Sequence, residues 1–149
     1  MIEQVTQTLV IDASPEACMA VISDFENYPQ WATDIKSVEV QRHDDDGRGG
    51  LVTYRVAAMG RSTTYVLEYY YGSNPLRLGW HLVEGDIVRR LDGRYTLLPV
   101  GDGQTEVTYD LEAELLVRLP GFVRRRAESR IFRTALEDLR TRIEAQATA

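Results

Sequence analysis

The sequence predicts an α+β fold in which a curved antiparallel sheet packs around a long C-terminal helix. Two observations predict it: most of the chain reads as consecutive strands joined by short turns, and the last segment reads as one long amphipathic helix. The chain has 149 residues, of which 44% are hydrophobic. This is enough for one core without disulfides, so a single domain over residues 1–149 is expected.

The N-terminal part predicts a strand, a helix and an aromatic turn. Residues 4–11 alternate as a strand does. Ser14 is a good N-cap and Pro15 suits the first helical position, so a helix of about ten residues follows. The stretch "DFENYPQWATDI" at 24–35 then carries three aromatic residues, and Pro29 limits any helix there to a short turn. We expect this turn to close one end of a hydrophobic pocket.

Six further strands are predicted between Ile35 and Ala113. Their connections are short and rich in turn residues: "DDDGRGG", Gly60, "GSNP", "GD" and "GDGQ". Residues 119–146 then predict a helix of roughly 25 residues. Its apolar residues recur at three- and four-residue spacing: Phe132, Leu136, Leu139 and Ile143.

Alternation in the last strand assigns Val107, Tyr109, Leu111 and Ala113 to the face that meets the helix. The same test on the other strands brings an aromatic set to this inner face. The predicted ligand-lining residues are Trp31, Tyr54, Tyr65, Leu67, Tyr69, Trp80, Tyr95, Tyr109 and Phe132. An unpaired buried hydroxyl costs about 1–3 kcal/mol, so five inward tyrosines favour a space that holds water or a ligand. The alternative is that tyrosine simply favours strands and several hydroxyls reach the rim.

Arg125 is a further candidate for the pocket. At 100° per residue it projects onto the same side of the helix as Phe132 and Ile143. There it would pair with Glu128, a tyrosine or an anionic group of the ligand. Alternatively it extends to the surface from the first turns of the helix.

Composition narrows the classes of function. A net charge of −6 disfavours a nucleic-acid partner. Three observations fit a cytoplasmic protein: a single cysteine, Cys18, no signal-like N-terminus, and no apolar run long enough for a membrane span. Sixteen arginines against one lysine are typical of a GC-rich bacterial genome. No phosphate loop, G-x-G-x-x-G motif or Cys/His cluster is present, so no cofactor and no metal are expected.

Residues 14–40, "SPEACMAVISDFENYPQWATDIKSVEV", resemble the start of the START-like (SRPBCC) superfamily, in its polyketide cyclase/dehydrase and lipid-transport branch. Asp24, Phe25, Tyr28 and Trp31 stand where that branch has its Asp-Phe and Tyr-Pro-x-Trp motifs. The later "LDGRYTLLPVGDGQTEVTYDLEAEL" resembles its last hairpin. The resemblance implies a helix-grip fold, with seven strands gripping the long helix and a cavity between them.

Members of this superfamily bind sterols, quinones, phospholipids, plant hormones or polyketides, so the resemblance leaves the function open. The first hypothesis is a binding or transfer protein for a lipid, quinone or polyketide-like molecule. Its entrance would lie near the apolar segment "LLVRLPGF" at 115–122, which would also allow transient contact with a membrane or a carrier protein.

The second hypothesis is an enzyme of the aromatase/cyclase type, in which Arg125 or an inward tyrosine moves protons. His81 is the obvious base by residue type, but alternation puts it on the outer face, and His43 lies in a hairpin. The acidic run Asp44 to Asp46 reads as a solvated loop, with a metal site as the distant alternative. The third hypothesis is a regulatory protein that docks through an arginine stripe at Arg126, Arg130 and Arg133.

Overall fold

We analysed a computed structural model, which describes residues 3–58, 60–116 and 118–147. The seven predicted strands are confirmed. They are β1 (Glu3–Ile11), β2 (Ile35–His43), β3 (Gly49–Ala58), β4 (Arg61–Ser73), β5 (Leu76–Gly85), β6 (Val88–Val100) and β7 (Gln104–Leu115). Val117, inside the predicted entrance segment, lies outside the described residues, as does the side chain of Ala58, which alternation placed on the inner face.

All seven strands form one antiparallel sheet in the order β1-β7-β6-β5-β4-β3-β2. Strands β2 to β7 follow one another as a meander, and β1 is added beside β7. The register places Tyr95 opposite Tyr109 and Tyr69 opposite Trp80, so the predicted inward residues do share one face. The sheet together with the C-terminal helix is the helix-grip arrangement that the resemblance implies.

Helix α1 (Pro15–Ile22) begins as its sequence predicts. The Ser14 hydroxyl accepts a hydrogen bond from the Ala17 N–H at 3.1 Å, and Pro15 occupies the first helical position. The aromatic turn is a short 3₁₀ helix, Phe25–Gln30, which packs along β2. Phe25 and Tyr28 are buried there, whereas Glu26, Pro29 and Gln30 are exposed.

The long C-terminal helix is interrupted, which the sequence does not predict. It consists of α2 (Gly121–Phe132), a π-helical segment (Arg133–Asp138) and α3 (Leu139–Ala147). A π-helical turn holds more residues than an α-helical turn, so it rotates α2 relative to α3. No helix in the described part of the chain is long and apolar enough to cross a membrane.

Candidate functional site

A continuous aromatic cluster covers the concave face of the sheet. The rings of Tyr69, Trp80, Tyr95 and Tyr109 lie next to one another, with centroids 4.9 Å apart for Tyr95 and Tyr109 and 5.6 Å apart for Trp80 and Tyr109. The cluster extends to the helix through Phe132. The full aromatic cluster is Phe25, Tyr28, Trp31, Tyr54, Tyr65, Tyr69, Trp80, Tyr95, Tyr109 and Phe132.

The aromatic turn joins this cluster from the side of β2. The Phe25 ring lies 4.4 Å from that of Tyr69, and Tyr28 lies between Trp31 and Tyr54. These ring contacts place the aromatic turn against the inner face of the sheet, and its predicted role in closing one end of a pocket stays a prediction. The turn packs along the edge strand β2.

Gly93 makes room for the indole of Trp80. The two residues are opposite each other in the register of β5 and β6. A Cβ atom on Gly93 would lie 2.5 Å from Cζ2 of Trp80, closer than side chains approach one another. A glycine on the inner face of β6 therefore allows the indole to lie flat over the backbone of that strand.

Four of the buried tyrosine hydroxyls have hydrogen-bond partners within the protein. Tyr54 and Tyr69 share a hydrogen bond of 2.5 Å between their oxygens, and Tyr95 donates to the Ala135 carbonyl at 2.8 Å. Tyr28 donates to the Ile22 carbonyl. We call Tyr28, Tyr54, Tyr69 and Tyr95 the paired tyrosines. Their hydroxyls stabilise the fold, because each would otherwise be a buried polar group without a partner.

Three other polar groups of the cluster bond to no other described residue. They are the hydroxyls of Tyr65 and Tyr109 and the indole N–H of Trp80. Among the described residues every side-chain nitrogen or oxygen that is shut off from solvent has a hydrogen-bond partner. The three atoms therefore retain some contact with solvent, although they lie on the inner face of the sheet. We call Tyr65 and Tyr109 the open tyrosines.

The interior beneath α3 is tightly packed. Residues from three parts of the chain meet there, and each is at most 2% exposed: Ile11, Leu97, Val107, Leu136, Leu139 and Ile143. The π-helical segment contacts β7, and α3 contacts both β1 and α1. We call this region the closed half of the interior.

The interior beneath α2 is packed less tightly. Its inward-facing residues are partly exposed although their strands lie in the middle of the sheet: Tyr65, Leu82, Leu91, Ala113 and, on α2, Ile131. Their partial exposure shows that this region excludes solvent less completely than the region beneath α3. We call this region the open half. It includes Tyr65, and Leu67 is buried beside it.

Burial raises the pKa of every tyrosine in the cluster. For Tyr28, Tyr54, Tyr69 and Tyr95 the pKa lies well above 10, first because of desolvation and then because neighbouring tyrosines disfavour a second negative charge. The pKa values of the open tyrosines are also raised by burial. All six phenols are therefore neutral at physiological pH, and they act as hydrogen-bond donors rather than as bases.

Arg125 is exposed on α2. Of the two positions that the sequence left open, this agrees with extension of the side chain to the surface from the first turns of the helix. The predicted role of Arg125 in binding a ligand remains untested.

Arg130 and Asp34 form an interaction that sequence reasoning missed. The guanidinium makes two hydrogen bonds to the carboxylate, at 3.0 Å from Nε and 2.5 Å from Nη2. Asp34 precedes the edge strand β2, so the pair ties α2 to the sheet beside the open half. The sequence assigned Arg130 to a solvated face, as part of the predicted arginine stripe. In the structure it is instead paired with Asp34. No pattern in a single sequence reveals a pair separated by this distance along the chain.

His81 lies on the outer face, as alternation predicts. Its Nδ1 is 2.7 Å from the Tyr70 hydroxyl, and its Nε2 is 3.2 Å from a Glu68 carboxylate oxygen. All three groups lie on the convex side of the sheet, so none can act on a ligand inside it. His43 is exposed in its hairpin.

Metal and thiol chemistry receive no support from the described residues. No group of three or more His, Cys, Asp or Glu side chains among them is arranged to hold a metal ion. The acidic hairpin loop is instead organised by Arg48, which bonds to Asp44 and Asp46. Cys18 lies on the buried face of α1, and desolvation raises the pKa of its thiol.

Two shallow depressions lie outside the tyrosine-lined face. A groove of about 410 Å³ runs between β1 and the C-terminal helix, with Leu9, Phe132 and Leu136 among its lining residues. A smaller one of about 160 Å³ lies between the aromatic turn and the β2–β3 hairpin. Neither is lined by a tyrosine of the cluster.

Comparison with known proteins identifies the family. The family model described as polyketide cyclase / dehydrase and lipid transport matches residues 3–144. No curated protein matches the sequence at a significant level. A START superfamily protein from Mycobacterium smegmatis has a similar structure, with a TM-score of 0.86 and 27% identity, over 96% of this chain and 98% of that one.

Two more distant structures share the fold. The Zhui aromatase/cyclase from Streptomyces sp. R1128 aligns with a TM-score of 0.83 and 14% identity, over 99% of this chain and 96% of that one. The lipid transfer and protein localization domain of human StarD13 aligns with a TM-score of 0.75 and 15% identity, over 93% of this chain and 75% of that one. At such identities the likeness shows the fold and leaves the activity open.

Proposed function

The chain belongs to the polyketide cyclase / dehydrase and lipid transport family, and we propose that it binds a hydrophobic small molecule in the open half of its interior. The observation that carries this proposal is the contrast between paired and open tyrosines. Two neutral phenols, Tyr65 and Tyr109, retain some contact with solvent on an otherwise apolar face. Such a surface offers apolar contact and a few fixed hydrogen-bond donors, the usual composition of a small-molecule site.

The chemistry of the site favours a flat ligand that carries hydrogen-bond acceptors. Aromatic rings line it, which suits stacking against a ring system. The polar atoms of the site that bond to no other described residue are the Tyr65 and Tyr109 hydroxyls and the Trp80 indole N–H, all of which can donate hydrogen bonds. A quinone or a polyketide-like ring compound with carbonyl oxygens fits this set better than a saturated acyl chain, which offers nothing to these donors.

We expect the binding of such a ring compound to involve α2. The closed half is fully packed, so additional volume comes from the side where the residues facing the helix are already partly exposed. The Asp34–Arg130 pair holds α2 beside β2 and limits how far it moves. We therefore expect α2 to shift outward on binding, with α3 remaining in place.

An aromatase/cyclase reaction is the second candidate. The family includes polyketide cyclases and dehydrases, and the aromatic donors would polarise a ketone oxygen of a polyketide. However, such a reaction also removes protons, and the aromatic cluster contains phenols with raised pKa values and no carboxylate or histidine among its members. The residues of the cluster therefore favour binding over catalysis.

Native mass spectrometry of gently purified protein tests the proposal. We expect a complex with one small molecule per chain, which organic extraction releases and identifies as a ring compound with acceptor oxygens. As a matched control, a denatured sample of the same protein should show the mass of the chain alone, because unfolding releases a ligand held by the folded interior. A protein that carries no ligand, and that takes up no quinone or polyphenol added in excess, would contradict the proposal.

A further inference from the structure

A basic and apolar surface surrounds the start of α2. Phe122 is 65% exposed and Leu116 is 54% exposed, which are high values for side chains of this size. Exposed arginines lie on both sides of Phe122 in the chain. We call this surface the α2 patch; its residues are Leu115, Leu116, Arg118, Phe122, Arg125 and Arg126.

The charge of the α2 patch is opposite to that of the protein as a whole. Residues 115–127 contain four arginines and no acidic residue, whereas the chain has a net charge of −6. None of Arg118, Arg125 and Arg126 forms an ion pair with another described residue. Exposed apolar side chains flanked by cations form a surface that suits a partner with both apolar and anionic groups.

The α2 patch lies at the end of the sheet where the open half begins. The Leu116 N–H donates to the Ile87 carbonyl at 2.9 Å, which joins the end of β7 to the β5–β6 turn. Gly85, in the last position of β5, is opposite Tyr65 in the register of the sheet. The patch and the open tyrosine Tyr65 therefore share one end of the molecule.

We propose that the α2 patch docks on an anionic lipid surface and that the ligand enters the open half from this surface. Phe122 and Leu116 would enter the boundary between headgroups and acyl chains, and the arginines would lie at the level of the phosphates. The acidic remainder of the chain would be repelled by the same surface, which fixes the orientation. The entry route rests on the proposed ligand-binding function, whereas docking itself does not.

Vesicle flotation tests the docking. Vesicles of phosphatidylcholine alone are compared with vesicles that also contain phosphatidylglycerol. We expect binding to the anionic vesicles only, and we expect this binding to weaken as salt is added. Replacing Arg125 and Arg126 together by Gln should weaken it roughly 25-fold, since each arginine near the surface contributes independently to attraction. Phe122→Ser should weaken it by about tenfold because an inserted ring is lost.

Two matched variants serve as controls. Arg140→Gln removes an exposed arginine of α3, and Leu98→Ser removes an exposed apolar side chain of β6. Both should bind anionic vesicles as the wild type does. All substituted residues are exposed, so circular dichroism should show an unchanged fold. Equal losses in patch and control variants, or no binding to anionic vesicles, would overturn the proposal and leave an acidic protein as the partner to be tested.

The test also separates docking from ligand binding. A water-soluble hydrophobic dye, anilinonaphthalene sulfonate, reports the interior site without vesicles. Phe122→Ser should bind the dye normally and lose vesicle binding. Tyr109→Phe should bind vesicles normally and lose affinity for an acceptor-bearing quinone. If Phe122→Ser keeps its vesicle binding, the docking proposal fails. If Tyr109→Phe keeps its quinone affinity, the proposed ligand site fails.

Discussion

The two halves of the interior differ although one sheet and one interrupted helix form both. In the closed half, Leu139 is fully buried and Ile143 is 2% exposed. In the open half, Ile131 is partly exposed although it also faces the sheet. The boundary between them is the π-helical segment, whose Ala135 carbonyl accepts a hydrogen bond from Tyr95.

This difference shows how one element can serve stability and binding at the same time. Beneath α3 the side chains fill the space, and their burial supplies the hydrophobic free energy that holds the fold. Beneath α2 the side chains are partly exposed, and the hydroxyls of Tyr65 and Tyr109 bond to no other described residue, so both remain available to a ligand. Segments with few buried contacts are also the ones that move at low cost.

The largest expected effect is loss of the fold in alkali. Burial keeps the pKa of the paired tyrosines well above 10 in the folded protein, whereas unfolded tyrosine titrates near 10. This stability is fully present below pH 10. Above it the unfolded chain loses protons that the folded chain keeps, so the free energy of unfolding falls by about 1.4 kcal/mol per pH unit for each such tyrosine.

Tyrosinate absorbance and far-UV circular dichroism, followed together from neutral to alkaline pH, check this expectation. Ionisation of the buried tyrosines should coincide with a cooperative loss of the fold. The exposed Tyr70 is an internal reference, since its ionisation requires no unfolding. Complete ionisation near pH 10 with the fold intact would show that the paired tyrosines are solvated.

A pair of truncations compares the two halves directly. Leu139→Ala in the closed half should lower the free energy of unfolding by about 3 kcal/mol, because it leaves a cavity in a packed region. Ile131→Ala in the open half should cost about 1 kcal/mol, since less of the side chain is buried. Urea denaturation of both variants measures the difference. Equal losses would mean that α2 packs as tightly as α3.

The Asp34–Arg130 pair should affect the mobility of α2 more than overall stability. Arg130→Gln removes both hydrogen bonds to the carboxylate, and we expect a loss of about 1 kcal/mol in the free energy of unfolding. Amide hydrogen exchange should become faster in α2 and stay unchanged in α3. Arg133→Gln, one turn away on the helix and exposed, is the matched control. Faster exchange over the whole helix would contradict a local role for the pair.

Much of the fold follows from patterns that a sequence displays. Strict alternation in β7 predicts the inner face, and the structure confirms it through the burial of Tyr109 and Leu111. Ser14 and Pro15 predict the start of α1, because the helix-start signals they provide depend only on neighbouring residues in the chain. Turn residues between the strands likewise predict a meander.

The division of the interior could not be predicted in the same way. A helical projection at 100° per residue assumes a regular helix, so it missed the π-helical segment. It gives the side of the helix on which Arg125 lies, but not how far this long side chain extends toward solvent. Whether a tyrosine is paired depends on distances across strands and helix. Tyr69 and Tyr109 look alike in the sequence, yet only Tyr69 bonds to another residue.

The most direct test of binding at the open tyrosines uses Trp80 as a reporter. The chain has two tryptophans, so Trp31→Phe leaves Trp80 alone in the centre of the aromatic cluster. Titration with a quinone should quench its emission with saturation at one equivalent. Adding Tyr109→Phe should weaken this affinity by about tenfold with little change in stability, because its hydroxyl bonds to no described residue and its removal leaves no buried group unpaired. Binding that leaves Trp80 emission unchanged, or an affinity that Tyr109→Phe does not alter, would contradict the account.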